Sequence, residues 1–195
     1  MTDDVRDAIE RIRSWADKAS KDARFTVRFE EFPAPSRDEI EGYEEVIAQE
    51  LGLAAYAIPS ALLEVYSHTG GIDLQWTSED RGTTIAGTCR IAGLFELYQR
   101  DEEEDVPLRN CVKIARPFDV ISDDEVAAIG FSEEACDIRQ MLLIDQESQT
   151  AKVLSYTPAS YLAAAAEHLG IYGWQRGEQN AGGEKLARSL LGDSA

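Results

Sequence analysis

Ile58-Pro59-Ser60-Ala61-Leu62-Leu63-Glu64-Val65-Tyr66-Ser67-His68-Thr69-Gly70-Gly71-Ile72-Asp73-Leu74-Gln75-Trp76 is the stretch on which the fold turns. A proline is tolerated in the first turn of a helix, where its missing N–H would have no partner anyway. Leu62, Leu63, Val65 and Tyr66 then recur on one helical face. Gly70-Gly71 offer the left-handed backbone of a helix stop. Beyond them Ile72, Leu74 and Trp76 alternate with Asp73 and Gln75, the period-two pattern of a half-buried strand.

Working upstream, Ser36 and Glu39 make a capping box for a helix that turns Ile40, Tyr43, Ile47 and Leu51 inward and stops at Gly52. Arg24 to Glu31 alternates around Phe25, Val27 and Phe29, a strand ended by Pro33 and Pro35. Residues 3–22 carry Val5, Ile9, Ile12 and Ala16 as one apolar stripe on a mostly solvated helix. Downstream, a turn around Asp80-Arg81-Gly82 leads to a return strand within Thr83 to Ile91. Leu94 to Tyr98 reads as a short helical piece, Asp101 to Asp105 as an acidic loop and Cys111 to Ala115 as a short strand. Met141 to Asp145 and Ala151 to Tyr156 form a second hairpin about Gln146 to Thr150. Thr157 and Pro158 open a helix over Ala159 to Leu169 that Gly170 closes. From Arg176 the chain is polar apart from Leu186, Leu190 and Leu191, and reads as a loosely held tail with one short helix. These elements predict an α+β fold with a largely antiparallel sheet flanked by helices. The expected division is a helical extension over 1–23, one α+β domain over 24–172 and a polar tail over 173–195.

Composition narrows the function classes. The 195 residues are 44% hydrophobic, enough for a real core. Nineteen Lys and Arg against 37 Asp and Glu give a net charge of −18. Such a field repels phosphate backbones and anionic lipid, which argues against nucleic-acid and membrane partners. The amino terminus has no apolar leader pattern, and the run Leu51 to Ile58 is far short of a membrane span. A cytoplasmic location is expected. Cys89, Cys111 and Cys136 are an odd set without C-x-x-C spacing, so reduced core thiols are expected in place of disulfides or a zinc site.

Catalytic and cofactor motifs fail on inspection. Gly82 to Gly87 has the glycine spacing of a phosphate loop, but Thr88 and Cys89 stand where Lys and Ser or Thr are required. Asp145 to Thr150 lacks the glycine and carboxylate pattern of a calcium loop. His68 and His168 each end a predicted helix, where an imidazole serves the terminal carbonyls. No nucleophile elbow or metal-binding helix motif is present. Pairs such as Asp123-Asp124 and Glu133-Glu134 are what so acidic a composition produces on a solvated face. The sequence predicts no enzyme, no cofactor and no metal.

Charge distribution says more. Residues 1–28 are nearly neutral, whereas residues 29–80 hold twelve acids against the single base Arg37. On the capped helix Asp38, Glu41 and Glu45 share a flank away from Ile40, Tyr43 and Ile47. Neighbouring like charges cost a few tenths of a kcal/mol each, so this clustering either reflects general acidity or marks a docking surface for a basic partner. Asp73, Glu79 and Asp80 extend the acidic set. Trp76 is the candidate aromatic anchor, with a core-facing position as the competing reading.

The segment Glu50-Leu-Gly-Leu53, followed by Ile58-Pro59 through Gly70-Gly71, resembles the signature of the SUKH superfamily of Smi/Knr-like and bacterial immunity domains. Ala128 to Phe131, Leu142 to Asp145 and Lys152 to Tyr156 are similar to that family's later strands, and Tyr161-Leu162 to its closing helix. Ile58 before Pro59, His68-Thr69 before Gly70 and Cys136-Asp137 depart from the family pattern. The resemblance implies a SUKH-like fold and a non-catalytic immunity protein that neutralises a cognate toxin domain, often a basic nuclease. A SUKH-type regulatory or scaffolding module is the alternative it implies.

Overall fold

The computed structural model describes residues 2–80, 82–98, 114–131, 138–177 and 181–190. Seven strands form one antiparallel sheet in the order β1-β2-β3-β4-β5-β6-β7, so every strand lies beside its neighbours in sequence. The strands are β1 (Phe25–Phe32), β2 (Gly71–Asp80), β3 (Thr83–Ile91), β4 (Ile114–Val120), β5 (Glu125–Phe131), β6 (Ile138–Asp145) and β7 (Thr150–Leu154). The helices are α1 (Thr2–Ala19), α2 (Arg37–Leu51), α3 (Ser60–Tyr66), α4 (Pro158–His168) and α5 (Ala181–Arg188). The fold is therefore α+β with an antiparallel sheet, as the alternation and capping patterns predict.

One face of the sheet carries the main core. Phe25, Leu74, Trp76, Cys89, Ile129 and Met141 meet Ile12 and Trp15 of α1, Leu62 and Tyr66 of α3, and Tyr161 and Leu162 of α4. The rings of Trp15, Phe25 and Trp76 pack with centroids 5.2–5.8 Å apart. On the opposite face a smaller buried group, Val126, Ala128, Leu142 and Ile144, backs β5 and β6. Both faces of β5 are thus buried, and its sequence Glu-Val-Ala-Ala-Ile-Gly-Phe shows no alternation.

Local chemistry sets the element ends. The Ser36 capping box is present: the Glu39 amide donates to Ser36 Oγ, and Glu39 Oε2 accepts from the Ser36 amide at 2.7 Å. Gly52 caps α2 in the left-handed conformation. Thr157 caps α4, with Pro158 as its first residue. Two expected boundaries move. Pro59 sits just before α3 instead of inside its first turn, and α3 ends at Tyr66 with Ser67 as its cap. Gly70-Gly71 consequently do not stop a helix. The Gly70 amide donates to Phe32 O at 2.8 Å, and a Cβ there would run into the Pro33 carbonyl, so glycine is required by close approach to the β1 exit.

The two ends of the chain, expected as an extension and a tail, both join the single core. Val5, Ile9, Ile12, Trp15 and Ala19 of α1 are buried. Trp15 Nε1–H donates to Ala187 O of α5 at 2.9 Å, and Ala187 is fully buried. Trp174 stacks on His168 at 5.4 Å and lies 5.0 Å from the Tyr161 ring. Cys89 is a buried free thiol; Cys111 and Cys136, the acidic run 101–105 and Glu133-Glu134 lie outside the described residues.

The sheet is nearly split in the middle. β3 and β4 share one registered pair, Ile91 with Asp119, after which the strands diverge. The turn after α4 enters this gap: the Thr88 amide donates to Gly170 O at 2.8 Å, and Ile171 bridges to Gly87. β4 bulges between Pro117 and Asp119, a position that tolerates proline's missing donor. Asp119, fully buried, ties the seam. Its Oδ1 accepts from the Arg90 amide at 2.7 Å and its Oδ2 from the Tyr161 hydroxyl at 2.8 Å.

Candidate functional site

The structure places the six acids predicted for partner binding in three separate regions and the seventh residue, Trp76, in the core. Asp38, Glu41 and Glu45 are exposed on α2. This helix sits at the end of the sheet where β1 finishes, with Tyr43 packed 5.5 Å from Phe95 and Glu44 Oε1 accepting from the Ile58 amide at 2.9 Å. Arg37 pairs with Glu41 at 2.8 Å, while Asp38 and Glu45 have no ion-pair partner among the described residues. Between α2 and the loop after it lies an open groove of about 590 Å³ lined by Glu41, Glu44, Glu45, Ala48, Leu53 and Tyr56, with no cation in its lining. Leu53 is 37% exposed there. Apolar side chains and carboxylates thus lie side by side on this surface.

Asp73 lies elsewhere, on the open face of the sheet. It is held by Arg28 at 3.4 Å, by Arg90 at 3.7 Å and by Gln75 Nε2, which donates to Asp73 Oδ1 at 2.9 Å, so its charge is compensated. Glu79 sits at the far end of β2 and accepts from the Thr84 hydroxyl at 2.7 Å. Asp80 pairs with Thr83 to close the hairpin, and its side chain lies outside the described residues. Trp76 requires a correction: it is 2% exposed and its indole N–H donates to Leu169 O at 2.8 Å. It joins the helices to the sheet and is not a surface anchor. The alternation with Ile72 and Leu74 already pointed it inward.

A second anionic groove was not visible to regional charge counting. Asp4, Asp7 and Glu10 of α1, Glu64 of α3 and Glu167 of α4 surround about 690 Å³ over a floor of Ala8, Ala159, Ala163 and Ala166. Part of this charge is matched, since Arg11 also lines the groove, Arg6 pairs with Glu10 at 3.2 Å and Arg188 with Glu167 at 3.7 Å. The signal in the sequence was the three- to four-residue spacing of the α1 acids, obscured because the bases of residues 1–28 cancel them in a sum.

The interior polar groups do not converge on solvent. Burial raises Asp119 to about 6 and pushes the Cys89 thiol and Tyr161 hydroxyl well up. All three are fully buried, and Asp119 and Tyr161 serve the seam described above. Among the described residues, no three His, Cys, Asp or Glu side chains are grouped to hold a metal ion. His68 follows α3, its amide bonded to Val65 O, and His168 ends α4 with Nδ1 3.4 Å from Glu184. Asp145 Oδ1 accepts from the Ser148 amide at 2.8 Å, which makes Asp145 to Thr150 a hairpin turn. Among the described residues no helix is long and apolar enough to cross a membrane.

No family model matches the chain, and no curated protein or solved structure shows significant similarity to it.

Proposed function

We propose that this protein is a non-catalytic, SUKH-type immunity protein that acts in the cytoplasm by binding a cognate basic toxin domain through the α2 surface. The observation that carries this reading is the groove beside α2, where three glutamates meet exposed Leu53 and the one nearby cation among the described residues, Arg37, pairs with Glu41 alone. The helix–Pro59–helix–Gly70-Gly71–strand segment supports it, because the residues of the resemblance form the consecutive elements α2, α3 and β2. A field of this sign speeds encounter with a cationic protein and covers the patch such a protein would turn toward nucleic acid.

The test is co-expression with the protein encoded beside it, scoring growth and co-purification. Wild type is expected to rescue growth and to bind with an affinity that falls as salt rises from about 50 to about 500 mM. Glu41→Lys with Glu45→Lys is expected to weaken binding about tenfold or more at low salt while leaving the circular dichroism spectrum unchanged. Binding that ignores both salt and charge reversal overturns the proposed surface. Binding without growth rescue overturns the immunity role in favour of a regulatory or scaffolding module.

A further inference from the structure

We infer that the open face of β1–β3 is a binding site for a small organic anion, one with a carboxylate or phosphate head on an apolar body. It is distinct from the α2 surface and does not depend on the reading given to it. On this face, away from the helices, a depression of about 540 Å³ runs from β1 across β3 to the β4–β5 turn, a size suited to a small-molecule ligand.

Two arginines from separate strands meet there in a chain that carries nearly twice as many acids as bases. Arg28 of β1 and Arg90 of β3 flank Asp73 of β2, which is 3.4 Å from one guanidinium and 3.7 Å from the other. These separations are long for charge-assisted hydrogen bonds. Asp73 therefore positions the two guanidiniums without saturating their donors, and Glu30, opposite Asp73 in register, lies outside the depression they line. The Arg28 and Arg90 side chains are 66% and 47% exposed, against 16% for Asp73, so the cations face the depression and the carboxylate lies beneath.

The rest of the depression supplies what an anion's body needs. Thr26, Thr77 and Thr88 line it beside the apolar Val120 and Ile121. Tyr172, 46% exposed, follows the segment that passes through the gap beside β3 and stands at the rim as a stacking surface. Asp123 is the one carboxylate in the lining and sits on the β4–β5 turn, so it disfavours a second negative group at that end. The overall charge excludes long polyanions by the same argument.

The experiment is an amide NMR titration of the full chain with phenyl phosphate, benzoate, inorganic phosphate and phenol. Shifts confined to Arg28, Thr77, Thr88, Arg90 and Tyr172 with phenyl phosphate or benzoate, and absent with phenol, are expected. Whichever aryl anion binds more tightly identifies the preferred head. Arg28→Gln and Arg90→Gln are each expected to weaken that binding about ten- to hundredfold, with the remaining spectrum unchanged. Tyr172→Ala is expected to weaken the aryl anions but not inorganic phosphate. Shifts scattered over the surface, equal response to phenol, or binding that survives both arginine replacements overturns the site. None of these outcomes bears on the α2 surface, whose charge-reversal variants are expected to titrate like wild type.

Discussion

At the scale of single residues, Asp119 is the group with the largest consequence. Burial raises its carboxyl to about 6, and the Arg90 amide and Tyr161 hydroxyl pull the other way without prevailing. The folded state therefore holds this proton more tightly than the unfolded chain, whose value is about 4. The resulting stabilisation is complete below about pH 4 and is lost as pH rises through about 6. Asn at this position keeps an acceptor for the Arg90 amide but removes the titration. Urea denaturation of wild type and Asp119→Asn from about pH 4 to about pH 7 is expected to show the wild type losing on the order of a few kcal/mol relative to the variant. A difference that stays flat across that range refutes the assignment. Nothing near Pro117-Phe118-Asp119 in the sequence foretold this role, because its partners lie 29 and 42 residues away. Trp76 was more legible. Its own strand gave its direction, while its bond to Leu169 O needed the tertiary structure.

Among the elements, α2 shows how far local chemistry determines structure. Its cap, its left-handed stop and its inward residues follow from adjacent positions, so they were readable. Ser36→Ala removes the acceptor for the Glu39 amide and is expected to cost about 1 kcal/mol. Hydrogen exchange should quicken through 37–51 while the β2–β3 amides keep their protection. Equal acceleration in both would mean that α2 unfolds only with the whole molecule. By contrast, β5 was not legible from its own pattern, because burial on both faces gives a continuous apolar run that strand and helix share. The α3 boundary failed for a different reason: of the two glycines read as a helix stop, Gly70 packs against the carbonyl of Pro33 and Gly71 against that of Ile91. The acids of α1 and α2 were equally regular in spacing, yet only those of α2 stood out, since few bases accompany them in sequence.

For the molecule as a whole, the α+β class and antiparallel sheet were legible because every strand pairs with a sequence neighbour. The attachment of the chain ends was not, since the bond from Trp15 to Ala187 spans 172 residues. Removing residues 178–195 leaves the Trp15 N–H without its acceptor and opens the covering of α1. A loss of about 2–4 kcal/mol is expected, with a red shift in tryptophan emission. An unchanged melting midpoint would show that α5 contributes nothing to the core. The three scattered regions of predicted contact residues teach a similar lesson: closeness along β2 does not gather side chains on one surface when the strand is long enough to reach both ends of the sheet.

The single Ile91–Asp119 pair between β3 and β4 also shapes how the chain reaches its native state. Strands β4 to β7 form successive hairpins by closing short loops, a fast and local process. Joining them to the β2–β3 ribbon requires the distant Tyr161 to arrive as well, so that union belongs late on the route. Stopped-flow chevrons should then show replacements at Ile91 or Tyr161 accelerating unfolding far more than they slow refolding, with the opposite partition for β5–β6.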